Sequence, residues 1–430
     1  MRITHLFGLL AFSLSATATI LENGQERLDP WPGQAPQIDL DDSWKTYEAD
    51  EPEVAFKGRW DSQHGGRSSS PVFPIPLPLA TIANDDPDIR APGIKTEFTG
   101  NKLAVSFGPK TSDGALVAYR VGNLDWQYSN VTADSTYQFI GEESNLGDIP
   151  LETGKVFEMR GSSRFVRSSR LYLQPQTVQV ASVSSGSDAQ LNVPPKFDKK
   201  VEVIGGSTEP MRLSSWSWLF VAGLGNVEHT LTAYPGVCLV DKQCYGGQSH
   251  GMNWYWHKAS DPGSRAREFF GDEPEDFDVK GDQPTDLFLI QMGGNDHRHP
   301  NEIPGRNYYH TYVELIDDIH RNHPHATVLL VSQWGLWRQE GLDFVQDEVY
   351  EEEHRQVHEH FKDQGFVYYF NTKGILQHND INPKNHPTDV GHIKLASHLL
   401  QWVRVVLRWE LEPLGEVTHG TLYWNNMQQY

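Results

Sequence analysis

The sequence predicts an α/β protein: a three-layer α/β/α domain built on a parallel sheet, preceded by an all-β jelly-roll sandwich. Three observations predict it. The chain has 430 residues, too many for one compact core, so two folded units are expected. Between about 55 and 190 the apolar residues come in short alternating runs with little helical patterning, which is how half-buried strands read. From about 191 to 412 strand-like runs alternate with stretches of helical period, the pattern of a parallel sheet covered on both faces.

The elements follow in order. Residues 1–18 carry an apolar run from Leu6 to Leu14 and then small residues at Ala16 and Ala18, the pattern that signal peptidase cuts. That run is shorter than the roughly 20 residues needed to span a bilayer, so a secreted chain is expected rather than a membrane-anchored one. Residues 19–54 are polar, rich in proline and acid, and aperiodic, which reads as an extended leader. The sandwich, 55–190, is read from Ile94, Thr96 and Phe98, the turn at Gly100 and Asn101, then Leu103, Val105 and Phe107, followed by ALVAYRV, KVFEM, RLYLQ and TVQVASV. The polar stretch 184–200 marks the crossing between domains.

In the second domain, strands are expected at 201–204, 231–236, 286–292, 326–334 and 366–370, with helices at 213–225, 308–320 and 345–361. A long closing helix over 390–409 presents Val390, Ile393, Ala396, Leu399, Val403 and Val406 at helical spacing, predicting one buried stripe. Residues 413–430 form a tail.

Composition excludes some functions. A net charge of −21 is wrong for a nucleic-acid binder, which needs a basic surface. The only cysteines, Cys238 and Cys244, are close enough for one small-loop disulfide, as an oxidising compartment allows. The sequon Asn130-Val131-Thr132 fits the same compartment. His297 and His299 have no cysteine or carboxylate at metal-site spacing beside them, so no metal and no cofactor is expected. Oligomeric state leaves no trace in the sequence.

Chemistry concentrates at strand ends. The run KVEVIGGST, starting at Lys200, carries a strand into Gly205, Gly206 and Ser207, where glycines permit a sharp turn and an exposed hydroxyl. LIQMGGND places Asn295 at the end of another strand, with a side-chain N–H for a developing oxyanion. The strand before Gly236 ends on an unhindered backbone N–H that offers a second donor. His386 stands just before the closing helix, within reach of Ser207 as general base. His392, inside that helix, reads as a packing residue, and Asp389 as a first-turn acid. Trp254, Trp256, Trp334 and Trp337 suit either sugar stacking or a core.

Ser, Gly, Asn and His in that order on an α/β unit resemble the SGNH (GDSL-like) hydrolase superfamily over about 200–410. With the preceding sandwich, GRWDS at 58–62 and HGMNWYW at 250–256, the whole chain resembles carbohydrate esterase family 2, whose members join a jelly roll to an SGNH domain and remove O-acetyl groups from plant-wall polysaccharides. The resemblance implies Ser207 as nucleophile, His386 as base, and Gly236, Asn295 and the Ser207 amide as oxyanion hole. Two positions depart from the family: Gly206 replaces the Asp of the first block, and Pro383 and Lys384 replace the acid before the His-Pro. A Ser-His dyad is therefore expected, with Asp380 and Asp389 as fallback acids. The expected substrate is an acetylated polysaccharide; the alternatives are a carbohydrate-binding protein that has lost catalysis, or a short-chain lipid esterase.

Overall fold

The computed structural model describes residues 34–60, 93–162 and 178–412, except 123, 125, 143, 145–153, 208–214, 246–248, 260–275, 282 and 383–384, plus short strands at 21–22, 25–26 and 68–69. The signal peptide, residues 19–20, 23–24 and 27–33 of the leader, the RLYLQ run, Asp61 and Ser62, Pro383 and Lys384, and the tail fall outside the described residues. The rest of the leader is not an extended segment ahead of the sandwich: Gln37–Ile38 and Trp44–Glu48 pair into its sheets.

The N-terminal part consists of two antiparallel sheets. One is ordered Gln127–Val131, Ala115–Val121, Lys155–Ser162, Gly93–Phe98 and Leu191–Asn192, with Ala55–Lys57 also paired to Gly93–Phe98. The other is ordered Gln37–Ile38, Ser135–Ile140, Leu103–Phe107, Val178–Gly186 and Trp44–Glu48. Alternate residues of both, among them Val117, Tyr119, Phe157, Val105, Phe107 and Tyr137, meet in one hydrophobic cluster. Where alternation slips, from Val178 and Val180 to Val183, the register shifts between Val180 and Ser182: the bulge returns an apolar side chain to the inner face.

The second part is a parallel sheet ordered Val227–Ala233, Lys199–Gly205, Leu287–Gln291, Thr327–Val331 and Val367–Phe370. Its strands are apolar on both faces because both are covered. Ile204, Phe288, Ile290, Val328 and Leu330 pack on Tyr308, Tyr312, Leu315 and Ile316 of helix Gly305–Asn322 and on Val357 and Phe361 of helix Glu351–Phe361. Val201, Val203, Leu287, Leu289 and Leu329 pack on Trp216, Phe220 and Leu224 of helix Trp216–Leu224 and on Leu395 and Leu399 of helix Asp389–Trp402. These are the three layers expected.

Three elements differ from expectation. The second strand starts at Val227, not 231, because Glu228, Thr230 and Thr232 are buried polar residues; Glu228 pairs with Lys57 (2.9 Å) and Lys95 (3.4 Å) of the N-terminal sheets. The helix expected over 345–361 begins only at Glu351; Val345 and Gln346 belong to a hairpin, Trp337–Glu340 with Asp343–Gln346, and Tyr350 separates the two with φ of 51°. In the closing helix Ile393, Ala396, Leu399 and Val403 are buried, but Val390 and Val406 are 38% and 40% exposed. Val390 lies in the exposed first turn, and Val406 lies in a π-helical turn, Val403–Leu407, whose extra residue per turn rotates it off the stripe.

Candidate active site

The strand order reverses beside Lys199–Gly205: the chain pairs first with Val227–Ala233 on one side and then with Leu287–Gln291 on the other. Loops leaving a switch point of this kind part and open a crevice at the carboxyl ends. There Gly206, Ser207, Gly293, Gly294, Asn295, Arg298, Trp334, Asn385 and His386 are among the residues lining a cleft of about 420 Å³.

Ser207 and His386, 179 residues apart, meet in it. Ser207 Oγ lies 2.7 Å from His386 Nε2, close enough for the hydroxyl to donate to the imidazole. The loop bearing His386 is pinned to Asn382: the His386 N–H donates to Asn382 Oδ1 (3.2 Å) and the Asn382 N–H donates to the His386 carbonyl (2.8 Å). The glycines before Ser207 act differently from the expectation. Neither has a positive φ, and a Cβ on Gly206 would meet only Asn295 Nδ2, at 3.6 Å. A side chain there would be in ordinary contact with the Asn295 amide, so the position does not demand glycine.

Two residues before Asn295 stands a glycine that no other residue replaces without strain. Gly293 has φ of 110°, and a Cβ there would sit 2.7 Å from the Tyr308 hydroxyl, which donates to the Met292 carbonyl at 3.0 Å. The Asn295 amide donates one hydrogen to the Val237 carbonyl at 2.9 Å, and its position against Gly206 aims the group at the cleft. Gly236, at φ of 76°, lies in the turn after Val227–Ala233; the Tyr234 N–H donates to the Gly205 carbonyl at 3.3 Å and holds this turn beside the nucleophile strand. Its neighbour Val237, rather than Gly236, lines the cleft.

The other candidates are placed elsewhere. Asp380 is buried and committed: its Oδ2 accepts from Lys394 Nζ (2.7 Å) and from the Gln377 N–H (2.8 Å). Asp389 is exposed on the first turn of the closing helix. His392 is buried with Nδ1 accepting the Trp216 N–H at 3.1 Å; burial, with His386 nearby, depresses its pKa to about 3, which suits packing and not proton transfer in the cleft. His297 packs edge-on against Tyr350, and His299 lies exposed beside Glu302. Among the described residues no group of three His, Cys, Asp or Glu could hold a metal ion. Of the tryptophans, Trp256 and Trp334 are buried, with Trp334 also a wall of the cleft, whereas Trp254 stacks on His250. Asn130 lies half-buried within a strand and not in an open loop.

Sequence reasoning missed two features. Arg298, between the two histidines already noted, is a cation in a cleft with no carboxylate among its described lining residues. Asp296, beside Asn295, is fully buried and accepts the N–H groups of Leu239 (3.0 Å) and Val240 (3.2 Å), the loop closed by the Cys238–Cys244 disulfide. Burial raises its pKa to about 6, with those amides acting in the opposite direction. An acid following an oxyanion candidate in G-G-N-D was the available signal.

Neither a family model nor a curated protein matches the chain. Solved structures do. A family two carbohydrate esterase from Cellvibrio japonicus is 16% identical, with 85% of this chain and 99% of that one covered and a TM-score of 0.59. A family two carbohydrate esterase from Clostridium thermocellum in complex with cellohexaose is 17% identical, covering 83% and 100%, with a TM-score of 0.58. The chain has the fold of the family two carbohydrate esterases. An acetyl xylan esterase from Butyrivibrio proteoclasticus is 13% identical, with 85% of this chain and 99% of that one covered and a TM-score of 0.59.

Proposed function

We propose that this chain is a secreted serine esterase that removes O-acetyl groups from polysaccharide of the xylan or mannan type, and that its N-terminal sheets form the jelly roll of that architecture. The observation that carries the reading is the 2.7 Å approach of Ser207 Oγ to His386 Nε2 in a cleft shared with Asn295. The esterase fold and the cellohexaose held by a neighbour of that fold support a sugar-bearing substrate. The apolar leader pattern and the disulfide support secretion.

His386 takes the Ser207 proton as the oxygen attacks the acetyl carbonyl. The tetrahedral oxyanion is held by the Asn295 side chain with the Ser207 amide. The sugar oxygen leaves with the proton from His386, giving acetyl-Ser207. Water then attacks with His386 as base, and acetate departs as Ser207 regains its proton. The ring is oriented without the usual acid, as a dyad.

Acetate release from acetylated xylan, acetylated glucomannan and an aryl acetate tests this in the parent and in Ser207→Ala. Release by the parent that vanishes in the variant is expected. A folded parent that binds polysaccharide but releases no acetate from any of the three would replace the esterase reading with a carbohydrate-binding one, while preference for longer acyl chains would make it a lipid esterase.

A further inference from the structure

The loop 237–245 grips the oxyanion strand end at several points. The Val237 carbonyl accepts the Asn295 amide at 2.9 Å. One residue on, the Asp296 carboxylate accepts the amides of Leu239 and Val240, both of its oxygens reaching the Leu239 N–H at 3.0 Å. The Tyr245 hydroxyl donates to the His299 carbonyl on the same segment. The loop is itself closed by Cys238–Cys244 and fixed from below, where the Met252 N–H donates to the Cys238 carbonyl at 2.7 Å. A short disulfide ring thus follows directly on Val237, the acceptor of the Asn295 amide, and holds the Leu239 and Val240 amides that bind Asp296.

We propose that the Cys238–Cys244 loop is a clamp that sets the Asn295 amide, with Asp296 as the positioning residue joining clamp to donor. This rests on the esterase reading above. An amide bonded to the Val237 carbonyl through one N–H can present the other only in a fixed direction, so the aim of the donor follows the position of Val237. Oxyanion donors act through preorganisation: a donor displaced by a fraction of an ångström still permits binding of the ester but stabilises its transition state less. Asp296 supplies the acceptor that fixes Leu239 and Val240; an amide in its place would turn an NH₂ toward one of those N–H groups.

The test is a cycle. Cys238→Ser/Cys244→Ser and Asp296→Asn are each made in the parent and in Asn295→Ala, and kcat and KM are measured on an aryl acetate alongside near-ultraviolet circular dichroism. In the parent, kcat should fall by about tenfold or more with KM within about twofold. In Asn295→Ala, where the donor is already gone, the same changes should cost less than about twofold. Equal losses in both backgrounds, or a loss confined to KM, would overturn the clamp. If the cysteine variant does not fold, reduction of the folded parent and of folded Asn295→Ala with a phosphine gives the same comparison with the same criteria. Hydrolysis by the parent that survives Ser207→Ala, or no hydrolysis at all, would overturn the esterase reading and the clamp with it; serine-dependent hydrolysis with additive losses overturns the clamp alone.

Discussion

Arg59 Nη2 lies 3.2 Å from Glu202 Oε1, and both side chains are almost sealed from water. The first comes from the end of the N-terminal sheets and the second from the strand that carries Ser207. The same oxygen also accepts from Thr232 Oγ1 (2.9 Å) and Trp256 Nε1 (3.1 Å), and the guanidinium donates to the Lys258 carbonyl at 2.8 Å and covers the Phe277 ring. Two buried charges of opposite sign this well bonded are costly to separate and cheap to replace together. Arg59→Met should lower the unfolding free energy by about 3–5 kcal/mol, and Arg59→Met/Glu202→Met should recover most of it. Urea titration measures both; a single variant as stable as the parent would show that the pair does not join the two parts energetically.

The conformation of Gly293 makes a sharper prediction about chemistry. At φ of 110° any other residue is strained, and a methyl would press on the Tyr308 hydroxyl from 2.7 Å. Gly293→Ala must therefore move the loop bearing Asn295, or Tyr308 must give up the Met292 carbonyl. The variant is expected to lose at least 2 kcal/mol of stability, in the range of backbone strain plus a lost buried hydrogen bond, and about 10²-fold in kcat, on the scale of one oxyanion donor. Gly206→Ala is the control, since its methyl meets nothing closer than 3.6 Å. Equal effects at the two positions would remove the distinction.

The dyad reading predicts what two acids will not do. Removing the acid of a serine triad costs about 10⁴-fold in rate. Asp389 is exposed at the start of a helix, so Asp389→Asn should leave kcat within about twofold. Asp380 is bound to Lys394 and the Gln377 amide, so Asp380→Asn should cost about 1–3 kcal/mol of stability with less than a tenfold change in kcat. A loss near 10⁴-fold in either would identify a third catalytic member. Both are read on an aryl acetate, with the unfolding midpoint measured in parallel.

How much was legible follows from range. Val203 and Ile204, or Leu289 and Ile290, announce a doubly covered strand because burial on both faces writes itself into adjacent residues. The order of Ser207, Gly236, Asn295 and His386 was legible because strand ends in a parallel sheet face one way. Glu228 was not legible as a strand residue, since the lysines that make its burial tolerable lie in segments more than a hundred residues away. Val406 was placed on the buried stripe because a 3.6-residue period does not foresee a π turn. Asp296 drew no reading from the sequence; only the fold brings Leu239 and Val240 to it.

Buried histidines shape how the protein responds to acid, His354 and His392 among them. Burial holds His354 at about 4 and His392 at about 3, against about 6.5 in an unfolded chain. His392 has a specific reason to stay neutral: its Nδ1 lone pair accepts the Trp216 N–H that opens helix Trp216–Leu224. Below pH 6.5 the unfolded chain binds protons that the native one refuses, so stability is full above that value and is lost as pH falls toward 4. Asp296 runs the other way: with its native pKa raised to about 6, the native state holds a proton that the unfolded chain releases, and stability is gained as pH falls from 6 to about 3.8. Burial depresses His229 and His323 in the same direction as His354 and His392, so the histidines outweigh Asp296 and unfolding takes up protons between pH 6 and 4, each fully titrating histidine contributing up to about 1.4 kcal/mol per pH unit. Glu158, held at about 2 by Arg120 and Arg160 against the opposing effect of burial, extends the loss below 4.5. His392→Gln keeps an acceptor for Trp216 without titrating, so its stability should fall less steeply than the parent's between pH 6 and 4, by up to about 1.4 kcal/mol per pH unit. Urea midpoints of both proteins across that window give the two slopes; parallel curves would mean that His392 is not a source of the acid sensitivity.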